Sequence, residues 1–358
     1  MAKFELGLSL RAALIFLSIG FLFRYRLLFT FCQKNTPLYL DIADFFVYLQ
    51  VKPRKIIVNM IRDLNELLRK AKNRPVRRMV VAAAEDEHVL KALQEAMKEE
   101  IIIPMAVGDK DKIEHIAQSI GFSLDGIELI DNREGAAASA RIAVEKVKNG
   151  EADVIMKGFV STGDLLKAVL DKSMGLRADQ LLSHVAFFES PYYHKIFCVT
   201  DVAMNIAPDL DAKAQIIQNA VKACHCIGIG NPKVAVAAAV EVVNPKMEAT
   251  VHAAELKEMN QKGFLEGCVV DGPFAIDIAV NAEAALHKGI GGEVAGDCDV
   301  ILAPDIEAGN MFYKALNFLG GASSAAVVMG ATVPVVLTSR SDDERSKLLS
   351  IALGTLID

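Results

Sequence analysis

Residues 299–340 read DVILAPDIEAGNMFYKALNFLGGASSAAVVMGATVPVVLTSR, and the order of signals in that stretch decides the fold class. Its first seven residues are a short apolar run ending in Pro304-Asp305, as a buried parallel strand ends. Glu307-Ala308-Gly309-Asn310 then reads as a turn, 311–319 has helical spacing, and Gly320-Gly321 supplies the stop. A second apolar run, 325–329, passes through Gly330 to a third, 334–337, which breaks off in Thr338-Ser339-Arg340. The acidic group Asp342-Asp343-Glu344 opens a last helix, expected over 342–357. Open α/β sheets place ligands where strand C-terminal ends feed polar turns. A hydroxyl, a guanidinium and carboxylates at one such turn suit an anionic, phosphate-like substrate.

Outward toward the N-terminus the same alternation recurs. Strands are expected over 78–84, 102–108, 127–130 and 152–156, with helices over 61–72, 89–97, 109–120 and 136–147. That pitch implies parallel pairing through right-handed crossovers. No G-x-G-x-x-G follows the first strand, so a dinucleotide site is not supported. The fourth strand runs into KGFVSTGD, residues 157–164, ahead of an amphipathic helix expected from Leu165. Gly158 allows close backbone approach, Ser161 and Thr162 offer hydroxyls, and the helix start presents free N–H groups, which together suit phosphate. The same residues also make an ordinary helix cap.

Between these two stretches, 183–189 and 195–201 read as neighbouring strands, and Thr200-Asp201-Val202-Ala203-Met204-Asn205 leaves the second. His184 opens a buried strand, where a core histidine is commoner than a catalytic base. A helix is expected over 211–224, a strand over 233–243, a helix over 252–261 and a strand over 268–273. Gly289 to Gly296 is glycine-rich but precedes a strand, so it does not read as a phosphate cradle.

Several of these runs together resemble the phosphate acetyl/butyryltransferase family. They are D-x-x-x-x-P-D-x-x-x-G-N-x-x-Y-K from Asp299 to Lys314, P-V-x-L-x-S-R from Pro334 to Arg340, K-G-x-V-x-T from Lys157, T-D-x-A-x-N from Thr200 and V-D-G-P from Val270. Thr338-Ser339-Arg340-Ser341-Asp342 is more similar to the phosphate butyryltransferase branch than to the acetyl one. The resemblance covers residues 60–358. It implies two three-layer α/β domains with a cleft between them, of isocitrate/isopropylmalate dehydrogenase-like architecture. The domains are expected over 60–170 with 328–358, and over 171–327. It also implies reversible transfer of a short acyl group between coenzyme A and phosphate by direct attack in a ternary complex, without further cofactor or metal and in a homo-oligomer. Carried over residue by residue, Ser339, Arg340, Asp342 and Thr162 are the catalytic candidates, with Asp343 and Glu344 as alternative bases. Lys157, Gly158, Ser161, Asp201, Asn205, Gly309, Asn310 and Lys314 are the substrate-binding candidates, and His184 a further ligand contact. Phe159, Phe187 and Phe274 are expected among the walls of the acyl pocket.

Composition sets the remaining bounds. A net charge of −6 leaves no general footprint for nucleic acid. Six cysteines scattered through apolar contexts suit a reduced, cytoplasmic setting. Cys224-His225-Cys226 has no second ligand pair and reads as core packing rather than zinc binding. Residues 1–59 differ from the rest, with eight of the 17 Phe and eight Lys/Arg against three Asp/Glu. They are read as an extension outside the working protein, with a weak membrane contact through 11–31 as the alternative. Two rival functions fit parts of the pattern. One is a long-chain phosphate acyltransferase of lipid synthesis, which the apolar leader would suit. The other is a catalytically silent module that binds acyl phosphate or coenzyme A.

Overall fold

The computed structural model describes residues 63–178, 180–338 and 342–358. The extension over 1–59, with its apolar stretch at 11–31, lies outside the described residues, as do Ser339 and Arg340. Eleven helices and eleven strands alternate among the described residues. The first half runs α1 (Leu64–Lys72), β1 (Arg77–Ala82), α2 (Glu87–Lys98), β2 (Ile102–Gly108), α3 (Lys110–Ser119), β3 (Glu128–Asp131), α4 (Ala136–Lys148), β4 (Val154–Lys157) and α5 (Thr162–Val169). The chain continues through β5 (Ser183–Glu189), β6 (Phe197–Thr200), α6 (Leu210–Ile227), β7 (Lys233–Ala237), α7 (Glu248–Gln261), β8 (Val269–Phe274), α8 (Ile276–Val280) and α9 (Ala282–His287). It closes with β9 (Val300–Leu302), α10 (Ile306–Phe318), β10 (Ser323–Met329), β11 (Val335–Val336) and α11 (Glu344–Leu356).

Short polar residues decide where the helices begin. Asp63, Asp86, Asp109, Ser161, Asp209, Asp305 and Asp343 each accept an N–H from the first turn of the helix they precede. Two sequence expectations are corrected by these caps. The helix after Asp305 starts at Ile306, so Gly309 and Asn310 lie inside it rather than in a turn, because the Asp305 carboxylate takes the Ala308 N–H at 2.8 Å. The helix after Lys157 starts at Thr162, three residues before Leu165, because Ser161 Oγ accepts the Asp164 N–H at 3.0 Å. A third correction concerns β7, which stops at Ala237 and not at Val243. Its neighbours β8 and β9 end at Phe274 and Leu302, so the residues beyond have no ladder to join, and Val242 stands 74% exposed.

All eleven strands form one sheet, in the order β3-β2-β1-β4-β11-β10-β5-β6-β9-β7-β8. One flank, β3 through β11, pairs in parallel, and so do β6-β9-β7-β8 on the other. The middle is antiparallel: β10 pairs with β11 on one side and β5 on the other, and β5 with β6. The α/β class is thus as expected.

Strand alternation sorts the apolar side chains onto two unlike faces. On one face a single core runs the width of the sheet. Met79 and Val81 of β1, Phe187 of β5 and Ala325 and Val327 of β10 join Leu64, Leu93, Ile217 and Leu353 from α1, α2, α6 and α11. The other face carries two separate cores. Val80, Ala82, Ile155 and Val328 pack with Leu165 and Val169 of α5, while Ala186, Phe188, Val199 and Ala326 pack with Ile278 of α8 and Tyr313 of α10. Consecutive outward residues of β10, Ala326 and Val328, therefore belong to different cores. The interruption on this face is where the site is found.

Candidate active site

A cavity of about 440 Å³ opens along that interruption. From the first core it is lined by Lys157, Val160, Ser161 and Thr162, from the second by Val202, Ala203, Asn310, Tyr313 and Lys314, with His184, Leu337 and Thr338 between. Three strand ends and two helices therefore meet: β4 delivers the 157–162 segment at the start of α5, β6 the 202–203 turn, β11 the 337–338 end, and α10 the 310–314 ridge.

On the first wall, Lys157 is buried and its Nζ donates to the carbonyls of Gly158 (3.1 Å) and Val160 (3.3 Å). Gly158 does not line the cavity. A Cβ there would lie 2.0 Å from the Ala83 carbonyl oxygen, so glycine is what lets this segment pack against the end of β1. Ser161 is the cap of α5, and its hydroxyl also donates to Asp164 Oδ2 at 2.7 Å. Thr162, the first residue of that helix, stands beside it at the cavity edge.

The second wall is tied together through Asp201. Its buried carboxylate accepts the N–H groups of His184 (3.1 Å), Ala203 (3.0 Å), Met204 (3.2 Å) and Asn205 (3.0 Å). Asn205 Nδ2 adds a further bond to Asp201 at 2.6 Å and another to the Leu182 carbonyl at 2.8 Å. Asp201 and Asn205 thus fix the 201–205 turn and do not themselves line the cavity. Gly309 is buried against that turn, with a Cβ position only 2.4 Å from the Asp201 carbonyl oxygen. One residue on, Asn310 Nδ2 donates to Val202 O at 3.1 Å. Lys314 holds its ammonium 5.4 Å from the Tyr313 ring and 5.6 Å from the Phe318 ring, with no carboxylate within salt-bridge distance among the described residues.

His184 and Tyr313 close the inner end. Their rings meet edge to face at 5.9 Å, and Tyr313 packs likewise on Phe188 at 5.3 Å. Burial lowers the His184 pKa below the ordinary histidine value, against the opposing charges of Asp201 and Asp342. Burial also raises the Tyr313 phenol, and the Asp342 charge adds to that effect. Asp342 does not itself line the cavity, but its charge bears on these two lining residues. Asp343 caps α11 by accepting the Ser346 N–H at 2.7 Å, and Glu344 pairs with Lys91 at 3.2 Å on the surface.

Several residues that sequence reading singled out lie elsewhere. None of Phe159, Phe187 and Phe274 lines the cavity. Phe187 alternates onto the opposite face, Phe159 is half exposed, and Phe274 is buried in the second core. The apolar lining comes from Val160, Val202, Ala203 and Leu337; all but Val202 stand at fixed positions of the motifs above, though none was singled out for the pocket. Period-two alternation along β5 could have placed His184 on the same face as Ala186 and Phe188. In the Cys224-His225-Cys226 run, Cys224 is buried in the core, His225 Nε2 hydrogen-bonds the Gly267 carbonyl at 3.0 Å, and the Cys226 carbonyl accepts from Lys70.

Known proteins resemble this chain over most of its length. The family model described as "Phosphate acetyl/butaryl transferase" matches residues 63–141 and 132–355. A phosphate butyryltransferase of Clostridium acetobutylicum is 46% identical over 298 residues, 83% of this chain and 99% of its own. A phosphate acetyltransferase of Thermotoga maritima is 44% identical over 280 residues, 78% of this chain and 95% of its own. Among solved structures, a branched-chain phosphotransacylase from Enterococcus faecalis superposes with a TM-score of 0.70 at 32% identity, covering 78% of this chain and 98% of that one.

Proposed function

This chain belongs to the phosphate acetyl/butyryl transferase family, and from that premise we propose that it is an acyltransferase moving a short acyl group between coenzyme A and inorganic phosphate. The observation that carries the reading is a cavity in which two lysines, a threonine hydroxyl at a helix start and an asparagine amide face one small space. Such a donor set suits a phosphate dianion.

In this reading a phosphate oxygen attacks the thioester carbonyl directly. The C–O bond forms, the C–S bond breaks, and the proton of hydrogen phosphate ends on the sulfur of coenzyme A. Lys157, Lys314 and Arg340 supply positive field for phosphate. Thr162 and Ser339 donate to the oxygen of the tetrahedral intermediate. Asp342 is the general base that takes the coenzyme A thiol proton in the reverse direction. Its electrostatic reach to His184 and Tyr313 supports it over Asp343, which is committed to a cap, and Glu344, which is paired with Lys91. Asp201, Asn205, Gly158 and Gly309 act by positioning these groups. The two cores on the cleft face support two domains, 60–170 with 328–358 and 171–327, meeting along β10. No helix among the described residues is long and apolar enough to cross a membrane. The cysteine usage favours a cytoplasmic setting and the family resemblance a homo-oligomer.

The acyl group follows from a narrower argument. The relatives named for butyryl and acetyl transfer are almost equally similar, so overall identity does not choose between them. Thr338-Ser339-Arg340-Ser341-Asp342 favours the butyryl branch, and the small apolar residues Val160, Val202, Ala203 and Leu337 suit a short chain. Thiol release from acetyl-, butyryl-, isobutyryl- and octanoyl-CoA, with and without phosphate, tests the proposal. Phosphate-dependent release peaking at four carbons is expected. An acetyl optimum would move the chain to the sister branch, and an octanoyl optimum to the long-chain reading. No release from folded full-length protein would sink the enzyme.

A further inference from the structure

The helix α10 presents three unlike sides. At 3.6 residues per turn, Gly309, Tyr313 and Leu316 fall on the side packed against the sheet. Asn310, Lys314 and Asn317 fall on a polar side that borders the cavity through the first two. The third side is Ala308, Met311, Ala315 and Phe318, spaced three, four and three residues apart, the a/d spacing of a seam between helices. That seam stands open: Met311 is 73% exposed, Phe318 61%, and Leu319, which follows on the same side, 88%. A surface helix ordinarily turns its charges outward, but the charged residues of α10 are Glu307 and Lys314 alone, and what it turns outward is a second apolar stripe. Met311, Phe318 and Leu319 together expose on the order of 400 Å² of apolar surface. That is the size of the largest such patch on an ordinary monomer, and about half of the roughly 800 Å² that one partner covers in a stable dimer.

The order of sizes along the seam says what covers it. Ala308, Met311, Ala315 and Phe318 read small, large, small, large, and read backwards they give the complement. A second α10 laid antiparallel therefore sets Met311 against Ala315 of the other copy and Phe318 against Ala308, so that each large side chain enters the gap over a small one. Parallel pairing would set like against like and leave gaps at the alanines. Such self-complementarity is what a two-fold interface requires, because both partners use the same surface. We propose that α10 is the centre of a two-fold interface between copies of this chain, with the two helices antiparallel and Met311 packed on Ala315. This names the surface of the homo-oligomer that the family resemblance favours, and rests on that reading. The interface also reaches the cavity, because the Phe318 ring in the seam lies 5.6 Å from the Lys314 ammonium. Burying that ring between copies holds it in place beside a cavity lysine.

The test is sedimentation equilibrium on the full-length chain, comparing wild type with M311E, A315K and L286E. Leu286 of α9 is 76% exposed and lies outside the seam, so L286E controls for a new surface charge. Wild type is expected to sediment at twice the chain mass or a multiple of it. M311E and A315K should each raise the dissociation constant of the α10 contact at least about 30-fold, the scale of a residue at the centre of an interface. L286E should leave it within a few-fold. Mixing M311E with A315K should restore association, because antiparallel pairing brings the new carboxylate of one copy against the new ammonium of the other. A monomeric wild type would overturn both the homo-oligomer and this interface, and would leave the seam open or covered by residues 1–59. A wild type that associates while M311E and A315K associate equally well would overturn the interface and keep the homo-oligomer. Loss of association in L286E as well would also overturn it, as would variants that dissociate but are not restored by mixing, since the antiparallel pairing would then be wrong. Thermal melts show whether each variant is folded, and because Met311 is largely exposed, M311E should melt near wild type at concentrations where both are monomeric.

Discussion

Lys314 lines the cavity and Asp342 does not, though both are proposed for the reaction, and their surroundings separate what each substitution should do. Lys314 has no carboxylate partner among the described residues and rests against two aromatic rings, so its charge is available to an anion. K314M should raise the KM for phosphate or acyl-CoA about tenfold or more while leaving thermal stability nearly unchanged, because a charge-assisted hydrogen bond is worth about 1.5–3 kcal/mol. Steady-state kinetics with each substrate varied in turn check this. D342N should lower kcat by about 10²–10⁴-fold, the usual loss for a general base. Its neighbours provide the controls. D343N removes a cap carboxylate and E344Q an exposed ion pair with Lys91, and both should retain kcat within a few-fold. Equal losses of kcat in D342N and D343N would remove Asp342 from its assigned role.

At the scale of elements, α10 is the part whose placement matters most. It carries Asn310, Tyr313 and Lys314 into the cavity, and its approach to the 201–205 turn is set by Gly309. In G309A the added methyl would lie 2.4 Å from the Asp201 carbonyl oxygen, and the obstacle is backbone that cannot rotate away. The helix must shift outward, which should cost about 1–3 kcal/mol and lower kcat as well, since three cavity residues move together. Thermal melts and kinetics on the same preparation check the pairing; unchanged kcat would mean that α10 does not set the geometry. The sequence signalled the helix but misplaced its start. The glycine in EAGN looked like a breaker, whereas the Asp305 cap and the close approach to Asp201 put that glycine inside the helix. The 157–164 segment was more legible, because the N-cap at Ser161 and the small residue at 158 are local signals. Even there, the contact that requires Gly158 is with Ala83, far away in sequence and invisible to a local reading.

Over the whole molecule, the parallel flanks were readable because βα alternation is local, while the antiparallel centre was not. β5 and β10 pair His184 with Val328, more than a hundred residues apart, and nothing in either apolar run announces the partner or its direction. The same limit hid part of the cavity lining: Lys157, Ser161, Thr162, His184, Asn310 and Lys314 were singled out, but the apolar residues that join them from both flanks were not. The second flank is also held by charge at the sheet end where β6, β7 and β9 begin. Asp297 accepts from Lys233 Nζ at 2.5 Å, Lys195 Nζ at 3.0 Å and His194 Nε2 at 2.8 Å, and Lys195 bonds Asp299 at 2.7 Å. Partial burial raises the Asp297 pKa, but the hydrogen bonds from Lys233, Lys195 and His194 and the charge of Lys195 outweigh it and hold the carboxyl well below the usual carboxylate range. A carboxylate whose folded pKa is depressed stabilises the fold above its unfolded value of about 4, and that contribution is lost as pH falls toward the folded value. D297N should therefore be less stable than wild type at pH 7, and the difference between the two should shrink steadily below about pH 4. Urea unfolding of both proteins across that range reads the difference directly. A gap that stays constant down to the lowest accessible pH would mean that Asp297 contributes through packing or neutral hydrogen bonds, and the charge network would not be what joins these three strands.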